Sequence, residues 1–281
     1  MEFIEFRLFW EGQINRSDLV EQFGISVPQA SADLKRYQDA APNTIRYDSH
    51  RKTYLPTEKF TPRHLEPSGD AYLAQIRLRE SGVVGEGETW AERMPDFSVV
   101  PILRRSVRPE ILRAIVGAAR DSLGLKVKYQ SASSNSTNWR WIAPHALGFD
   151  GFSWHTRAWC LRNEEFRDFV LTRITEIGES RPEIVDTQLD FAWNQSVTLV
   201  VQPNPKLSPG ARKAVELDFG MERGRCKIET RVSLSFYLER HLGLKQDPMK
   251  TDPEHQRLVL VNRDDVEVAR EFMKQRKLAG A

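Results

Sequence analysis

The segment GFSWHTRAWCLRNEEFRDFVLTRI, residues 151–174, joins two strand-like runs that contain four arginines, two tryptophans and a histidine. Aromatic and β-branched residues favour strands. Guanidinium groups bind phosphate through paired hydrogen bonds, and an aromatic ring offers a face on which a flat ligand stacks. The segment therefore predicts a compact β-rich domain with a binding site for a flat, anionic ligand.

Strand-like runs continue on both sides of this segment, separated by polar or Gly-containing turns. The four runs are residues 125–133, 139–151, 152–161 and 166–177. Closing a short sheet removes its exposed edges and leaves concave walls on which side chains converge. We expect these runs to form a small β-barrel of the Sm/SH3-like type.

The N-terminal region has the pattern of a winged helix-turn-helix. Apolar residues at helical spacing in residues 3–10 and 18–23 predict two helices, and a third begins with Ser26 as N-cap and Pro28 in its first turn. Residues 44–56 alternate polar and apolar side chains around DSHR, which predicts a hairpin. A small helical core with a hairpin that contacts nothing would show the same spacing.

The charge distribution favours DNA binding over that alternative. Residues 26–63 contain seven Lys or Arg and four acids, and neutralised phosphates supply most non-specific affinity for DNA. The N-terminal half of a recognition helix contacts base edges. The candidate DNA contacts are Gln29, Ser31, Ala32, Lys35 and Arg36 on the helix and Ser49, His50, Arg51 and Lys52 on the wing. Ser31 could instead bond to local backbone, and the wing tip could simply be solvated.

The remaining segments complete a four-part organisation of an α+β chain. Two helices with a Gly-rich interruption connect the winged helix to the β-rich domain, and the second of them is expected to end at Gly124. The C-terminal part alternates strands and helices as in a small α+β sandwich. The predicted domains are a DNA-binding domain at 1–65, a helical linker at 66–118, a β-barrel at 119–190 and an α+β extension at 191–281.

Composition and motifs narrow the class of protein. The chain has 281 residues, 28% charged and 40% hydrophobic, with a net charge of +2, as in ordinary globular proteins. Cys160 and Cys226 lack CxxC spacing, so we expect neither disulfides nor a zinc site, and a reducing cytoplasm. We expect no signal peptide, membrane span, metal or cofactor. A phosphodiesterase or nuclease using His50, His145, His155 or His241 is disfavoured because no HExxH, paired-carboxylate or Ser-His-Asp pattern occurs.

The β-rich segment resembles the WYL domain of bacterial transcription regulators. The resemblance rests on Tyr129, on Arg140 followed by Pro144, on the triplet Trp154-His155-Thr156, and on Arg173-Ile174. The triplet departs from its namesake, since His155 and Thr156 stand where Tyr and Leu are usual. The whole chain resembles the BrxR/CapW type of these regulators, which is associated with phage-defence operons.

The resemblance implies a homodimeric repressor of its own operon. The barrel would be the sensor and the C-terminal extension would help the subunits associate. We therefore expect an inverted-repeat operator of double-stranded DNA and a nucleotide or oligonucleotide effector. The predicted ligand-binding residues are Tyr129, Arg140, Trp154, His155, Arg157, Arg167 and Arg173. A transcriptional activator, or an accessory protein that binds nucleic acid through the barrel, remains an alternative.

Structural roles compete with these ligand assignments. On a strand, His155 and Arg157 share one face and Trp154 lies on the other, so both faces cannot be core; a solvated outer face would look the same. Arg173 could pair with Asp168 or a nearby Glu, and Tyr129 could simply fill the barrel. Trp139 and Trp141 are expected to lie mainly in the core.

Overall fold

The structure is a computed structural model that describes residues 1–85, 87–100, 105–132 and 137–279. The chain divides into two compact units, Met1–Leu103 and Arg104–Ala281. Among the residues that the structure describes, the first unit contains one hydrophobic core and the second contains two. No helix in the described ranges is long and apolar enough to span a bilayer.

The first unit is a winged helix. Its elements are α1 (Glu2–Trp10), α2 (Arg16–Phe23), α3 (Val27–Ala40), β1 (Ile45–Asp48), β2 (Thr53–Pro56) and α4 (Gly69–Glu80). Asn15 forms a capping box at α2, and Ser26 accepts the Gln29 amide at the start of α3. Gly24 ends α2 with φ of +62°, the left-handed conformation that glycine adopts without strain. The predicted helices, turn and wing are confirmed.

Two buried charged side chains of α1 organise this unit. The carboxylate of Glu5, which is fully buried, accepts backbone N–H bonds from Arg63, His64 and Leu65, just beyond the wing. Burial acts to raise the pKa of Glu5, but these bonds outweigh it and hold the pKa below its usual value. The chain that leaves the wing is thereby fixed to the first helix.

Arg7 provides the second anchor in α1. Its guanidinium lies 3.0 Å from Glu11, 3.2 Å from Asp18 and 2.7 Å from Glu92. Trp90 packs edge-on against Phe3, so residues near 90 also belong to the core of the winged helix. The first unit therefore extends beyond its hairpin.

The second unit begins with α5 and a five-stranded antiparallel sheet. These elements are α5 (Pro109–Arg120), β3 (Leu123–Gln130), β4 (Thr137–Phe149), β5 (Trp154–Cys160), β6 (Glu165–Val170) and β7 (Ile174–Pro182). The strand order is β6-β5-β4-β3-β7. Ile111 and Ile115 of α5 pack onto Val127, Ile142 and other apolar side chains of the sheet.

The sheet corrects three expectations. It is open, because β6 and β7 are its two edges and do not pair with each other in the described ranges, so a closed barrel is not found. The run at 166–177 is two strands rather than one, divided by a 3₁₀ turn at Leu171–Arg173. Gly124, expected at the end of α5, lies within β3, and the helix already ends at Arg120.

The C-terminal part forms a second sheet with its own core. Its elements are α6 (Phe191–Asn194), β8 (Ser196–Pro203), α7 (Pro209–Asp218), β9 (Cys226–Arg231), α8 (Val232–His241), β10 (Leu258–Leu260) and α9 (Arg263–Ala279). Strand β8 lies between β10 and β9. Leu199 and Val201 of β8 pack against Val215 of α7 and Val266 of α9. This order agrees with the alternation of strands and helices that the sequence predicts.

Candidate functional site

The outward face of α3 is polar and partly cationic. Gln29, Ala32, Lys35 and Arg36 are exposed, because Ala30, Leu34 and Tyr37 turn the opposite face into the core. The side chain of Arg36 is 70% exposed and lies 3.8 Å from Asp33. Such a face can meet a groove of duplex DNA while the core stays intact.

Two α3 side chains are engaged within the helix. Gln29 donates to Asp33 at 3.1 Å. Ser31 donates to the Val27 carbonyl at 2.9 Å, which is the local backbone bond that the sequence had left open. Ser31 is therefore the least available of the predicted contacts on α3.

The wing tip presents cations on an ordered turn. Asp48 accepts the backbone amides of His50 and Arg51, both at 3.0 Å, and Lys52 closes the turn at φ of +53°. The side chains of residues 49–52 are exposed. The turn can therefore present His50, Arg51 and Lys52 to phosphate without rearranging.

A hollow of about 430 Å³ lies at one end of the five-stranded sheet, a volume within the range of small-molecule sites. We define the hollow by its four arginines, Arg140, Arg162, Arg167 and Arg173, its rings Tyr129 and Phe169, and the polar residues Ser131, Asn138, Asn163 and Asp168. Asp168 is the only carboxylate among the described residues that line it. The hollow is therefore cationic, with aromatic side chains in its wall.

Arg140 is the best-defined cation of the hollow. Its guanidinium lies 5.2 Å from the centre of the Tyr129 ring and 5.9 Å from that of Phe169. Its Nε is buried and has no hydrogen-bond partner within the described part of the chain. A buried donor without a partner is costly, so this atom is suited to a bound acceptor.

The other arginines of the hollow are solvent-exposed. Arg167 lies 3.3 Å from Glu165. For Arg162 and Arg173 no ion pair is found among the described residues, so the pairing of Arg173 with Asp168 or a nearby Glu, which the sequence left open, is not observed there. Both Arg162 and Arg173 line the hollow, although the sequence favoured only Arg173 as inward. Tyr129 lines the hollow, lies in the core of this unit, and accepts the Val170 amide through its hydroxyl.

Three predicted ligand residues lie outside the hollow. Trp154, His155 and Arg157 are not among the residues that line it. Trp154 is 48% exposed and packs on Phe149, with ring centres 5.0 Å apart. Trp139, expected in the core, is 42% exposed on the outer side of the sheet, near Lys126 and Lys128.

Arg157 is held by two carboxylates. Its Nε and Nη2 both donate to Asp190 at 2.8 Å, and its Nη1 donates to Asp168 at 3.2 Å. Only 9% of its side chain is exposed. Burial favours the neutral form, but these carboxylates outweigh it and raise the pKa of Arg157. Arg157 is therefore a structural cation in this state.

Asp190 connects the sheet to the C-terminal part. It accepts from Arg157, lies 2.9 Å from His145 Nε2 and caps α6 by accepting the Trp193 amide. Burial raises the pKa of Asp190, but the bonds from Arg157 and His145 are stronger and hold it below its usual value. A buried carboxylate with these donors remains ionised near neutral pH.

His155 lies between the sheet and α8. Its Nε2 is 2.8 Å from Asp150, and its ring centre is 5.0 Å from that of Tyr237. Burial, followed by the charges of Asp168 and Asp150, raises the pKa of Tyr237, so its hydroxyl stays protonated. One face of β5 packs into the core through Ala158 and Cys160, and the other face is covered by polar and aromatic contacts, so it is neither a wall of the hollow nor a solvated face.

We refer to Arg157, Asp168, Asp190 and Tyr237 together as the joint. Sequence analysis missed Asp190 and Tyr237, which lie 33 and 80 positions beyond Arg157. Strand parity supplied the only signal, since it placed His155 and Arg157 opposite the core face. No pattern in the sequence indicates which distant carboxylate would meet a given arginine.

Metal chemistry has no visible support in the described residues. No cluster of three or more His, Cys, Asp or Glu side chains there has the geometry to hold a metal ion. Cys160 is buried and Cys226 half-buried, and both are free thiols.

A winged helix followed in the same chain by a separate sheet domain is an arrangement typical of one class of proteins, the multidomain transcription regulators. Three family models match in that order: the BrxR transcriptional regulator winged helix-turn-helix domain at residues 1–78, the WYL domain at 110–178, and the BrxR transcriptional regulator C-terminal dimerization domain at 196–266.

Curated relatives cover nearly the whole chain. Proteins named DNA-binding transcriptional repressor CapW are 37% identical in Stenotrophomonas maltophilia and 38% identical in Pseudomonas aeruginosa. Each alignment covers 95% of this chain and 89% of the relative. The chain therefore belongs to the BrxR/CapW type of WYL-domain transcriptional regulators, as the resemblance predicted.

One solved structure has a weaker similarity. A chain of proteasome accessory factor B/C of Arthrobacter aurescens matches at 18% identity with a TM-score of 0.26, over 62% of this chain and 28% of that one. A similarity at this level supports no argument about the present fold.

Proposed function

We propose that this protein is a DNA-binding transcriptional repressor whose hold on its operator is released by an anionic, nucleotide-like effector bound in the hollow. The observation that carries the repressor assignment is the match to CapW repressors over 95% of the chain. The unpartnered Arg140 Nε supports the effector site.

DNA binding is proposed for α3 and the wing. Lys35 and Arg36, together with Gln29 and the wing residues His50, Arg51 and Lys52, are exposed and carry the donors and charges that phosphates and base edges accept. Ser31 is proposed only as a support of the helix, because its hydroxyl already bonds to Val27.

A homodimer is proposed as the binding species. The match at residues 196–266 to a C-terminal dimerization domain supports this. A twofold dimer places two recognition helices about 34 Å apart on successive major grooves, which calls for an inverted-repeat operator. We also propose the domain limits 1–65, 66–118, 119–190 and 191–281. We further propose, from the family resemblance, that the regulated genes are associated with phage defence.

The effector is proposed to bind through Tyr129, Arg140, Arg167 and Arg173, with Arg162 added. Arginines spread around a hollow of this size suit a ligand with one or more phosphates, and Tyr129 and Phe169 offer rings for a base. Trp154, His155 and Arg157 are omitted from the proposed set because they lie outside the hollow.

An electrophoretic shift assay tests the two roles separately. The probe DNA is the promoter region upstream of the gene, and the trial effectors are 5′-phosphorylated oligothymidylates and inorganic pyrophosphate. We expect Lys35→Ala to weaken promoter binding about tenfold or more and to reduce its salt dependence. We expect Arg140→Ala to bind promoter normally and to lose release by the effector.

The matched control is Lys126→Ala, which removes a cation from the outer side of the sheet. Its Nζ pairs with Glu179 at 3.2 Å and does not line the hollow. It should change neither promoter binding nor release. Promoter binding that survives Lys35→Ala together with Arg51→Ala would refute the assignment of α3 and the wing as the DNA-contacting surface.

A further inference from the structure

Asp168 belongs to both the hollow and the joint. It lines the hollow as its only carboxylate among the described residues, and it lies on β6 with 14% of its side chain exposed. One oxygen, Oδ1, accepts from Arg157, while the other, Oδ2, accepts from the Tyr237 hydroxyl at 3.4 Å. A single side chain therefore contacts the hollow, β5 and α8.

Both partners of Asp168 lead into the C-terminal part of the chain. Tyr237 lies in α8, whose Val232, Ser235 and Glu239 are buried. Arg157 donates twice to Asp190, which caps α6 immediately before β8. The two connections enter the C-terminal sheet region at separate points. A displacement of the Asp168 carboxylate would therefore change the contacts of both α6 and α8.

We propose that Asp168 is the positioning residue that couples an anion in the hollow to the C-terminal extension. This inference rests on the proposed effector site and deepens it by naming how the hollow is connected to the rest of the unit. The residue is not itself proposed to bind the effector.

The physical basis is competition between like charges. An anion bound by the surrounding arginines lies near the Asp168 carboxylate, and like charges in a partly buried site repel strongly. The longer contact, 3.4 Å to Tyr237, is the weaker of the two hydrogen bonds and breaks first. A ligand shifts a conformational equilibrium only through such a difference in affinity for the two states.

The test compares Tyr237→Phe and Asp168→Asn with the unmodified full-length protein. The first removes one hydroxyl, and the second removes the charge at nearly constant size. The control is Glu176→Gln, which removes a carboxylate of the same sheet that pairs with Lys128 at 2.6 Å and lies outside the hollow. For each protein, binding of a 5′-phosphorylated oligothymidylate is measured by calorimetry, and amide hydrogen exchange of α6 and α8 is measured with and without it.

In the unmodified protein and in Glu176→Gln, the oligonucleotide should speed exchange in α6 and α8. Tyr237→Phe should bind it with the same affinity, within about twofold, and should show little change in α8 exchange on binding. Asp168→Asn should bind it more tightly, by about fivefold or more, because a repelling charge is gone, and should transmit little to either helix.

Two outcomes overturn the inference and differ in what else they affect. If the oligonucleotide binds and α8 responds equally in Tyr237→Phe and the unmodified protein, the coupling role of Asp168 is refuted and the effector site stands. If neither the oligonucleotide nor inorganic pyrophosphate binds the unmodified protein, the proposed effector site fails and the coupling fails with it.

Discussion

Two arginines on neighbouring strands of one sheet have opposite surroundings. Arg157 on β5 is enclosed by Asp168 and Asp190 and makes three hydrogen bonds to them. Arg140 on β4 lies over aromatic rings, and its buried Nε has no partner in the described ranges. The difference teaches that Arg157 is fixed in the fold by its carboxylate partners, whereas Arg140, which has no ion pair among the described residues, keeps an unpaired donor that a ligand could use.

The largest expected effect in this comparison is that of Arg157→Met. The change leaves Asp190 and Asp168 without their shared cation, and removing one partner of a buried ion pair costs about 3–5 kcal/mol. Amide hydrogen exchange of β5 and β6 during a urea titration measures this in the second unit alone. Arg162→Met, the same change at an exposed arginine, is the control, and a loss below about 1 kcal/mol for Arg157→Met would contradict its structural role.

Acidification should reproduce part of that loss. The pKa of Asp190 in the folded protein lies below its usual value, so its stabilising effect is fully present above the unfolded pKa and is lost as pH falls through the folded pKa. We expect the stability of the second unit to fall below about pH 4, measured by chemical unfolding across a pH series. Asp190→Asn should be less stable near neutral pH and should show a shallower acid dependence; an unchanged slope would assign the effect to other carboxylates.

A smaller change in stability is expected for Arg140→Met. No carboxylate in the described part of the chain loses a partner, and the lost contact with Tyr129 is worth about 0.5–1 kcal/mol, which the removal of an unpartnered buried donor offsets. Thermal unfolding should shift little, while binding of phosphorylated oligothymidylate weakens about tenfold. A destabilisation as large as that of Arg157→Met would remove the distinction between the two arginines.

The smallest effect is expected for Lys128→Met on the outer side of the same sheet. Lys128 pairs with Glu176 at 2.6 Å, but both side chains are substantially exposed, and such surface pairs contribute about 0–1 kcal/mol. Unfolding curves with and without added salt should nearly coincide with those of the unmodified protein. A clear loss at low salt would indicate that the outer side is more than a solvated face.

The sequence predicted the winged helix well because its signals are local. Asn15, Ser26 and Gly24 each specify a helix end through their own backbone or side chain, and the hairpin depends on a short polar turn. Four of the seven predicted ligand-binding residues line the hollow: Tyr129, Arg140, Arg167 and Arg173. They could be predicted because their strand positions and the family resemblance together indicate which side chains line it.

The joint and the sheet edges could not be predicted in this way. Whether the sheet closes depends on the relative positions of β6 and β7, which no local pattern encodes. The role of Arg157 depends on Asp190, which lies 33 positions further along the chain, and on Asp168, which also accepts from Tyr237 of α8. The alternation of side chains along β5 correctly placed His155 and Arg157 on the face opposite the core. It could not predict whether water, a ligand or a carboxylate would cover that face.

The contacts between residues near 90 and the first helix matter for hybrid regulators that are built by exchanging DNA-binding domains between relatives. A fusion cut at residue 65 would keep the grip of Glu5 on residues 63–65, yet it would separate Arg7 from Glu92 and Phe3 from Trp90. A graft that carries the donor's own sequence through Arg93 keeps those native pairs together. The segment to be exchanged therefore extends beyond the winged helix itself, through Arg93.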